Sequence, residues 1–509
     1  MDIATIILNV FTPDNLLAIF AGVIAGLCIG GLPGLTANLG VALLLPVTFG
    51  MEVTAALLML TSLYTAAIYG GSFAAILLHT PGTSASAATA IDGFVLTQKG
   101  QFNKALRIAT FSSVIGGSAS AVALLLLSPP LSLLSLRFGP PEYFMLAVFG
   151  LTVIGTLSSG NMIKGLLAGA IGLFISTIGS DLDSGFPRFT FGSFALQSGL
   201  NFVPAVIGLF SMSQVFLMCE EAKKTIQQVK LKGKDTWRFL PTMAELREIR
   251  VTLVRSSIIG IFIGILPGAG GDIGSWVSYN EAKRFSRKPE EFGKGSIVGI
   301  SASETANNAV TGSSLIPLLT LGIPGSATAA ILLGALVVHG LLPGRTLFTD
   351  HANITYTVIF GFLLANLIMG VIGMGLGRYM SYITRLSNYV LIPMIIALSV
   401  IGAYSLGNNY FDVYTMLGFG ILGYFMRKIG FPPAPLILGL ILGPIAETGF
   451  RQSVILAKDS VVGHILSSPI SFVLFAATLL SIGSAIWLEY RNIRNLRNAA
   501  DAGGADPDK

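Results

Sequence analysis

Two short strings of the chain set an oxygen-bearing side chain at the same step after a Leu-Pro-Gly. They are Leu32-Pro33-Gly34-Leu35-Thr36-Ala37-Asn38 and Leu266-Pro267-Gly268-Ala269-Gly270-Gly271-Asp272, which puts Asn38 and Asp272 at an offset of 234 residues. Proline removes a helical N–H and clashes with the preceding turn, so each string should unwind a helix. In apolar surroundings the carbonyls so freed need partners, and a small hard cation such as sodium is one. The expected ion-binding residues are Gly34, Thr36 and Asn38 in the first string and Gly268, Gly270 and Asp272 in the second, with a proton as the alternative coupling ion.

A second pair of breaks reads Pro81-Gly82-Thr83-Ser84-Ala85-Ser86 and Pro324-Gly325-Ser326-Ala327-Thr328, each followed by small residues that can start a helix. The free N–H groups of such a start, with Ser or Thr hydroxyls, bind a carboxylate without a fixed cationic side chain. Two of them facing each other could grip a di- or tricarboxylate. Between the breaks, Glu304 stands in a stretch from Ser296 to Leu342 that is otherwise uncharged. A carboxylate at lipid depth is costly and is a functional candidate by default. On a helix, Ser301, Glu304, Asn308 and Thr311 share one face, with Asn307 beside them; the first half offers Ser62, Thr65 and Tyr69 in the aligned region. The expected substrate-binding set is thus Ser62, Thr65, Pro81, Gly82, Thr83, Ser84, Glu304, Asn307, Asn308, Pro324, Gly325, Ser326 and Thr328.

Competing readings stand beside these. Ser, Thr and Gly runs also pack membrane helices closely, and Asp272 is near enough to the basic loop after Glu281 to sit at a membrane surface. His79, His339, His351 and His464 have no metal-ligand spacing and read as structural or interfacial, His79 lying nearest a break. Cys28 and Cys219 are isolated in apolar spans and read as small hydrophobes. No metal beyond sodium and no cofactor is expected. Trp237 and Trp487, near span ends, read as interface anchors.

The elements that must position these residues are membrane helices. Of 509 residues 53% are hydrophobic and only 11% charged, and mean hydropathy is +0.77, which no soluble core requires. The net charge of +6 is small and scattered over short loops, which argues against nucleic acid as a partner. Met1 to Asn15 holds no Lys or Arg, unlike the start of a cleaved signal peptide. The fold class expected is an all-α polytopic membrane protein of two inverted repeats with broken helices and re-entrant Pro-Gly hairpins, plus one extra C-terminal span. The divisions are a first repeat over 1–219, a basic cytoplasmic linker over 220–250, a second repeat over 251–450, a span over 451–488 and a cytoplasmic tail over 489–509.

Further matches between the halves are Ile154-Gly155 and Gly160-Asn161 with Ile401-Gly402 and Gly407-Asn408, and Gly82 with Gly325 at an offset of 243. Loop charge gives the orientation, because short Lys/Arg-rich loops stay cytoplasmic. The loop from Thr97 to Arg107 holds Lys99, Lys104 and Arg107, while its counterpart Pro343 to Thr355 holds only Arg345. The bias reverses between Pro46 to Glu52, which has no basic residue, and Glu281 to Gly295, which has five. Corresponding loops therefore belong on opposite sides, with the N-terminus outside and the C-terminus inside.

These residues carry a resemblance. Gly31-Leu32-Pro33-Gly34-Leu35 with Leu44-Leu45-Pro46, Tyr69-Gly70-Gly71-Ser72 with Pro81-Gly82 and Asp92-Gly93, and Leu266-Pro267-Gly268-Ala269-Gly270 resemble the large membrane subunit of the tripartite tricarboxylate transporters, the TctA type, over residues 16 to 450. The resemblance implies a bacterial inner-membrane permease partnered by a small membrane subunit and a periplasmic solute-binding protein. It also implies uptake of citrate-like or other organic carboxylates, driven by an ion gradient and not by ATP; the chain has no Gly-x-x-x-x-Gly-Lys-Ser/Thr loop. Alternating access between inverted halves, of elevator type by analogy of fold, is the expected mechanism. The alternative is a stand-alone carboxylate carrier or ion antiporter using the same breaks. An intramembrane enzyme with Glu304 and His79 as acid and base lacks any accompanying nucleophile pattern, and a channel has no need of paired broken helices.

Overall fold

The computed structural model describes residues 3–32, 34–157, 162–181, 184–221, 238–268, 270–377, 379, 388–457 and 460–483. Pro33, Ala269, Gly160, Asn161, most of the expected 220–250 linker and the 489–509 tail lie outside the described residues. Apart from a two-residue ribbon pairing Gly179–Ser180 with Pro187–Arg188, the regular structure described is helical. Among the described residues seven helices are long and apolar enough to cross a membrane: Pro13–Gly31, Val53–Leu78, Phe102–Leu134, Phe202–Glu220, Ala352–Leu376, Asn388–Gly407 and Pro433–Leu456. The chain is a multi-pass membrane protein.

In the first half α1 (Ile3–Val10) and α2 (Pro13–Gly31) precede a break, then α3 (Ala37–Leu44), α4 (Val53–Leu78), a second break, α5 (Ala87–Gln98) and α6 (Phe102–Leu134). The second half repeats that order. Its α11 (Met243–Ile265), break, α12 (Gly270–Arg284), α13 (Ile297–Ser313) with α14 (Leu315–Leu321), second break, α15 (Ala327–Val338), short α16 (Arg345–Thr349) and α17 (Ala352–Leu376) follow the basic loop. Two expected apolar segments, 37–49 and 271–280, are therefore short helices set after breaks: α3 has 8 residues and α12 has 15. Neither is long enough to span.

Local chemistry sets the starts. Thr36 Oγ1 accepts from the Leu39 N–H at α3, Glu52 from the Ala55 N–H at α4, Ser296 from the Gly299 N–H at α13 and Ser326 from the Ala329 N–H at α15. Thr242 and Glu245 form a capping box at α11.

The chain forms two compact units. One comprises residues 1–137 and 200–425, the other 138–199 and 426–509, so each draws on both sequence halves. In the first unit α4 and α13 are the central helices, α4 buried from Ala55 to Leu77 and α13 buried nearly throughout. A mostly polar helix such as α13 can sit there only because its neighbours come close. Gly22, Gly26 and Gly30 set α2 directly on the α4 backbone; Gly260 does the same for α11 on α13, and Gly264 faces the Ser313 side chain at the end of α13. Also in this unit are α9 (Phe202–Ile207) and α10 (Ser213–Glu221), joined by a π-helical turn, and α18 (Asn388–Gly407).

In the second unit α7 (Pro140–Leu157) and α8 (Met162–Ser176) pack on α20 (Pro433–Leu456), which follows α19 (Tyr410–Lys428) in the chain. Arg188 pairs with Glu447 at 2.5 Å and Arg451 with Asp181 at 2.6 Å, tying the ribbon to α20.

Candidate functional site

The breaks have matching geometry in the two halves. Where α2 ends, the Leu32 N–H donates to the Ile29 carbonyl at 3.2 Å; where α11 ends, the Leu266 N–H donates to that of Ile263 at 3.1 Å. Gly34, Gly268 and Gly270 take φ of +85°, +72° and +66°, the left-handed region in which a side chain is strained. At the second breaks the Gly82 N–H donates to Gly71 O at 3.3 Å and the Gly325 N–H to Ser314 O at 3.2 Å. A Cβ on Gly82 would collide with the Gly30 carbonyl, and one on Gly325 with the Gly264 carbonyl. The paired positions differ by the offsets 234 and 243 found in the sequence.

Side chains then join each first break to the opposite half's second one. Thr328 Oγ1 donates to Asn38 Oδ1 at 2.5 Å, and Ser84 Oγ donates to Asp272 Oδ2 at 2.7 Å. Asn38 and Thr36 are half-buried, Thr328, Ser326 and Pro324 buried, Asp272, Gly270 and Pro81 half-buried, Thr83 buried and Ser84 exposed. The four breaks therefore meet crosswise, with helix starts and oxygen-bearing side chains side by side.

Glu304 lies apart from the tips and is wholly buried, joining four helices. Ser72 Oγ from α4 donates to its Oε1 at 2.6 Å, Thr89 from α5 donates to the same oxygen, and Ser113 Oγ from α6 donates to its Oε2 at 2.9 Å. The carboxylate is thereby held by uncharged hydroxyls, a lining that suits a desolvated acid without a paired cation. Asn308 on the next turn donates to the Glu304 carbonyl, but its Oδ1 has no hydrogen-bond partner. Neither do Asn307 Oδ1 and Nδ2 nor Ser62 Oγ, all buried. Thr65 donates to Asn366 Oδ1 of α17 at 2.8 Å, and Thr311 meets Thr65 at 3.5 Å. The set expected from sequence falls into a tip group around Asn38, Asp272, Ser84 and Thr328, and a helix group around Glu304, Asn308 and Thr65.

The sequence reading passed over Tyr64, Ser113, Ser314 and Asn366, and noted Ser72 only as part of a motif. The signal for Asn366 was a lone amide in the apolar run of α17, and for Tyr64 a phenol in mid-span, five residues before Tyr69. Asp92, noted only as part of a motif, proves to be a clamp: its Oδ1 accepts from the N–H groups of Gly293, Gly295 and Ser296, each at 2.8 Å, and its Oδ2 from Tyr279 Oη at 2.9 Å. It fixes α5 to the loop before α13. His79 stacks on Phe94, and His339 Nε2 lies 3.2 Å from Thr48 Oγ1.

The tripartite tricarboxylate transporter TctA family matches residues 16–438. The chain belongs to the TctA family. Among relatives, an uncharacterized 52.8 kDa protein in the TAR-I ttuC' 3'region of Agrobacterium vitis is 37% identical over 475 residues, covering 93% of this chain and 92% of the relative. An uncharacterized protein in the TAR-II ttuC' 3'region of the same organism is 38% identical over 225 residues, or 44% of this chain and 90% of the relative. No solved structure matches. Membership of the TctA family makes this chain a transporter membrane subunit.

Proposed function

We propose that the protein is the membrane permease of a binding-protein-dependent secondary transporter that takes up tricarboxylates or related organic carboxylates, driven by an ion gradient. One observation carries this reading: each Leu-Pro-Gly break touches the small-residue helix start of the other half, Asn38 with Thr328 and Asp272 with Ser84. Two helix starts with hydroxyls, Thr83 and Ser84 on one side and Ser326 and Thr328 on the other, offer donors to two carboxylates of one solute. Asn308 and Asn307 supply amide groups behind them, Glu304 orders the helices that carry them, and the breaks hold the coupling ion, sodium in preference to a proton.

Two inverted repeats moving by alternating access, in an elevator fashion, give such a site its two openings. Support for the inversion comes from which loops touch. The two basic loops meet where Lys99 Nζ donates to the Lys294 carbonyl at 2.6 Å. The weakly basic loops gather elsewhere: Asn9 Nδ2 donates to Asn353 Oδ1, and Thr48 meets His339. By loop charge the first group is cytoplasmic and the second periplasmic, with the protein in a bacterial inner membrane. A small membrane subunit and a periplasmic binding protein complete the transporter.

The test is carboxylate uptake into vesicles that hold the protein with its small subunit, supplied with binding protein. Alanine at Asn38, Asp272, Glu304 or Asn308 should abolish uptake while the protein still inserts. Normal uptake by all four variants overturns the site, and uptake without any binding protein overturns the partnership.

A further inference from the structure

Tyr64 and Asn307 occupy the same step of the two halves, at the offset of 243 that also relates Gly82 to Gly325, yet they differ in what they touch. The Tyr64 hydroxyl meets Ser326 Oγ at 2.9 Å and Ser314 Oγ at 3.3 Å, closing the space behind the Asn38–Thr328 contact. Asn307 is wholly buried, and neither atom of its amide has a hydrogen-bond partner. Its Oδ1 is pressed on the α12 start, so that a Cβ on Gly271 would come within 2.6 Å of it and 3.4 Å of Ala85 Cβ. Gly271 precedes Asp272 and Ala85 follows Ser84, the two residues already bonded at 2.7 Å. A buried amide without partners costs about 1–3 kcal/mol unless something satisfies it.

We infer that a hard monovalent cation of the sodium class binds between Asp272, Ser84 and Asn307, and that Tyr64 closes the equivalent place in the first half. The ligands would be the Asp272 carboxylate, Ser84 Oγ and Asn307 Oδ1, all oxygens, as such a cation requires. A single carboxylate balances one positive charge. The positive end of α12 opposes a cation with about half a charge spread over its first turn, and the full charge of Asp272 in that turn outweighs it. Ser84 is exposed and Asp272 half-buried, so the place is open at the protein surface while Asn307 lines its inner wall. In the first half the matching residues are Asn38, which is neutral, and Tyr64, whose hydroxyl is already engaged. The two breaks therefore bind one ion, not two. This rests on the reading of the protein as an ion-driven carrier.

The test is equilibrium binding of radiolabelled sodium to the purified full chain, with Trp276 fluorescence as a second readout. Trp276 lies one turn past Asp272 on α12 and is 41% exposed. One saturable sodium per chain is expected, with D272N and N307A each weakening it about tenfold or more and D350N leaving it unchanged. A thermal melt shows that each variant is folded, and N307S serves if N307A is not. No saturable binding, binding indifferent to D272N and N307A, or two sodium ions per chain overturns the inference. Carboxylate uptake by the same preparation is scored separately. Uptake without sodium binding defeats the cation site alone, and sodium binding without uptake defeats the transport reading alone.

Discussion

Glu304 is wholly buried, and its three hydroxyl partners come from α4, α5 and α6. Removing the carboxylate strands Ser72 and Ser113 and leaves Thr89 only Ser303. E304A should lower unfolding stability in detergent by about 2 kcal/mol, at about 1 kcal/mol or more for each donor left without its acceptor. E304Q keeps the volume and one carbonyl oxygen and should cost about 1 kcal/mol. Equal stability of the two variants would remove the hydroxyl cage as an organising feature. The tip residues should behave otherwise. Ser84 is exposed, so S84A should leave the melting curve within about 0.5 kcal/mol of the parent while reducing uptake; a large stability loss would show that Ser84 is a packing residue.

Helices meet here through glycine, and so the elements predict their own weak points. Gly82 and Gly325 each face the carbonyl of a glycine on α2 or α11, where no Cβ fits. G82A and G325A should each cost about 2 kcal/mol by overpacking and should lose uptake, because the helix start can no longer seat against α2 or α11 of its own half; uptake at the parental rate by both would mean that the close approach is not needed. At the head of α11, ahead of its apolar stretch, Arg107 reaches Glu245 at 2.8 Å with both side chains nearly buried. Burial alone would raise the Glu245 carboxyl, but the Thr242 N–H and the Arg107 guanidinium outweigh it and hold the group below its usual range. A carboxyl depressed in the folded state contributes stability above its ordinary pKa and loses it as pH falls through the folded value. Stability should therefore decline in acid from about the ordinary carboxylate range downwards, and E245Q should flatten that part of the curve. A pH profile unchanged by E245Q would contradict the pair's contribution.

For the whole molecule the orientation of the halves is the open quantity that function depends on. Loop charge and loop contact agree, since Lys99 lies on the 294 loop and Asn9 lies on the 353 loop. Reporter fusions at Gln98 and Thr349 should fall on opposite faces of the membrane; the same face for both would end the inverted reading and with it the two-sided grip on a dicarboxylate. Both positions belong to the first compact unit, which also holds every candidate site residue. The second unit, with its Arg188, Glu447, Arg451 and Asp181 pairs, contributes none of them.

What the sequence determined by itself was the membrane class, the two Leu-Pro-Gly strings and the two Pro-Gly strings, because apolar runs and helix breakers act locally and their spacing is carried in the chain. It also offered Asn38 and Asp272 as counterparts, since an offset survives translation into structure. It could not say that Asn38 would meet Thr328 and Asp272 would meet Ser84, for those contacts join residues 290 and 188 positions apart. Nor could it separate Tyr64 from Asn307. Both are polar residues in buried helices, and only the approach of Ser326 and Ser314 to one, and of bare glycine to the other, leaves the phenol satisfied and the amide without a partner. The tertiary structure decides such matters because a buried polar group's state depends on which atoms close packing brings within about 3 Å of it.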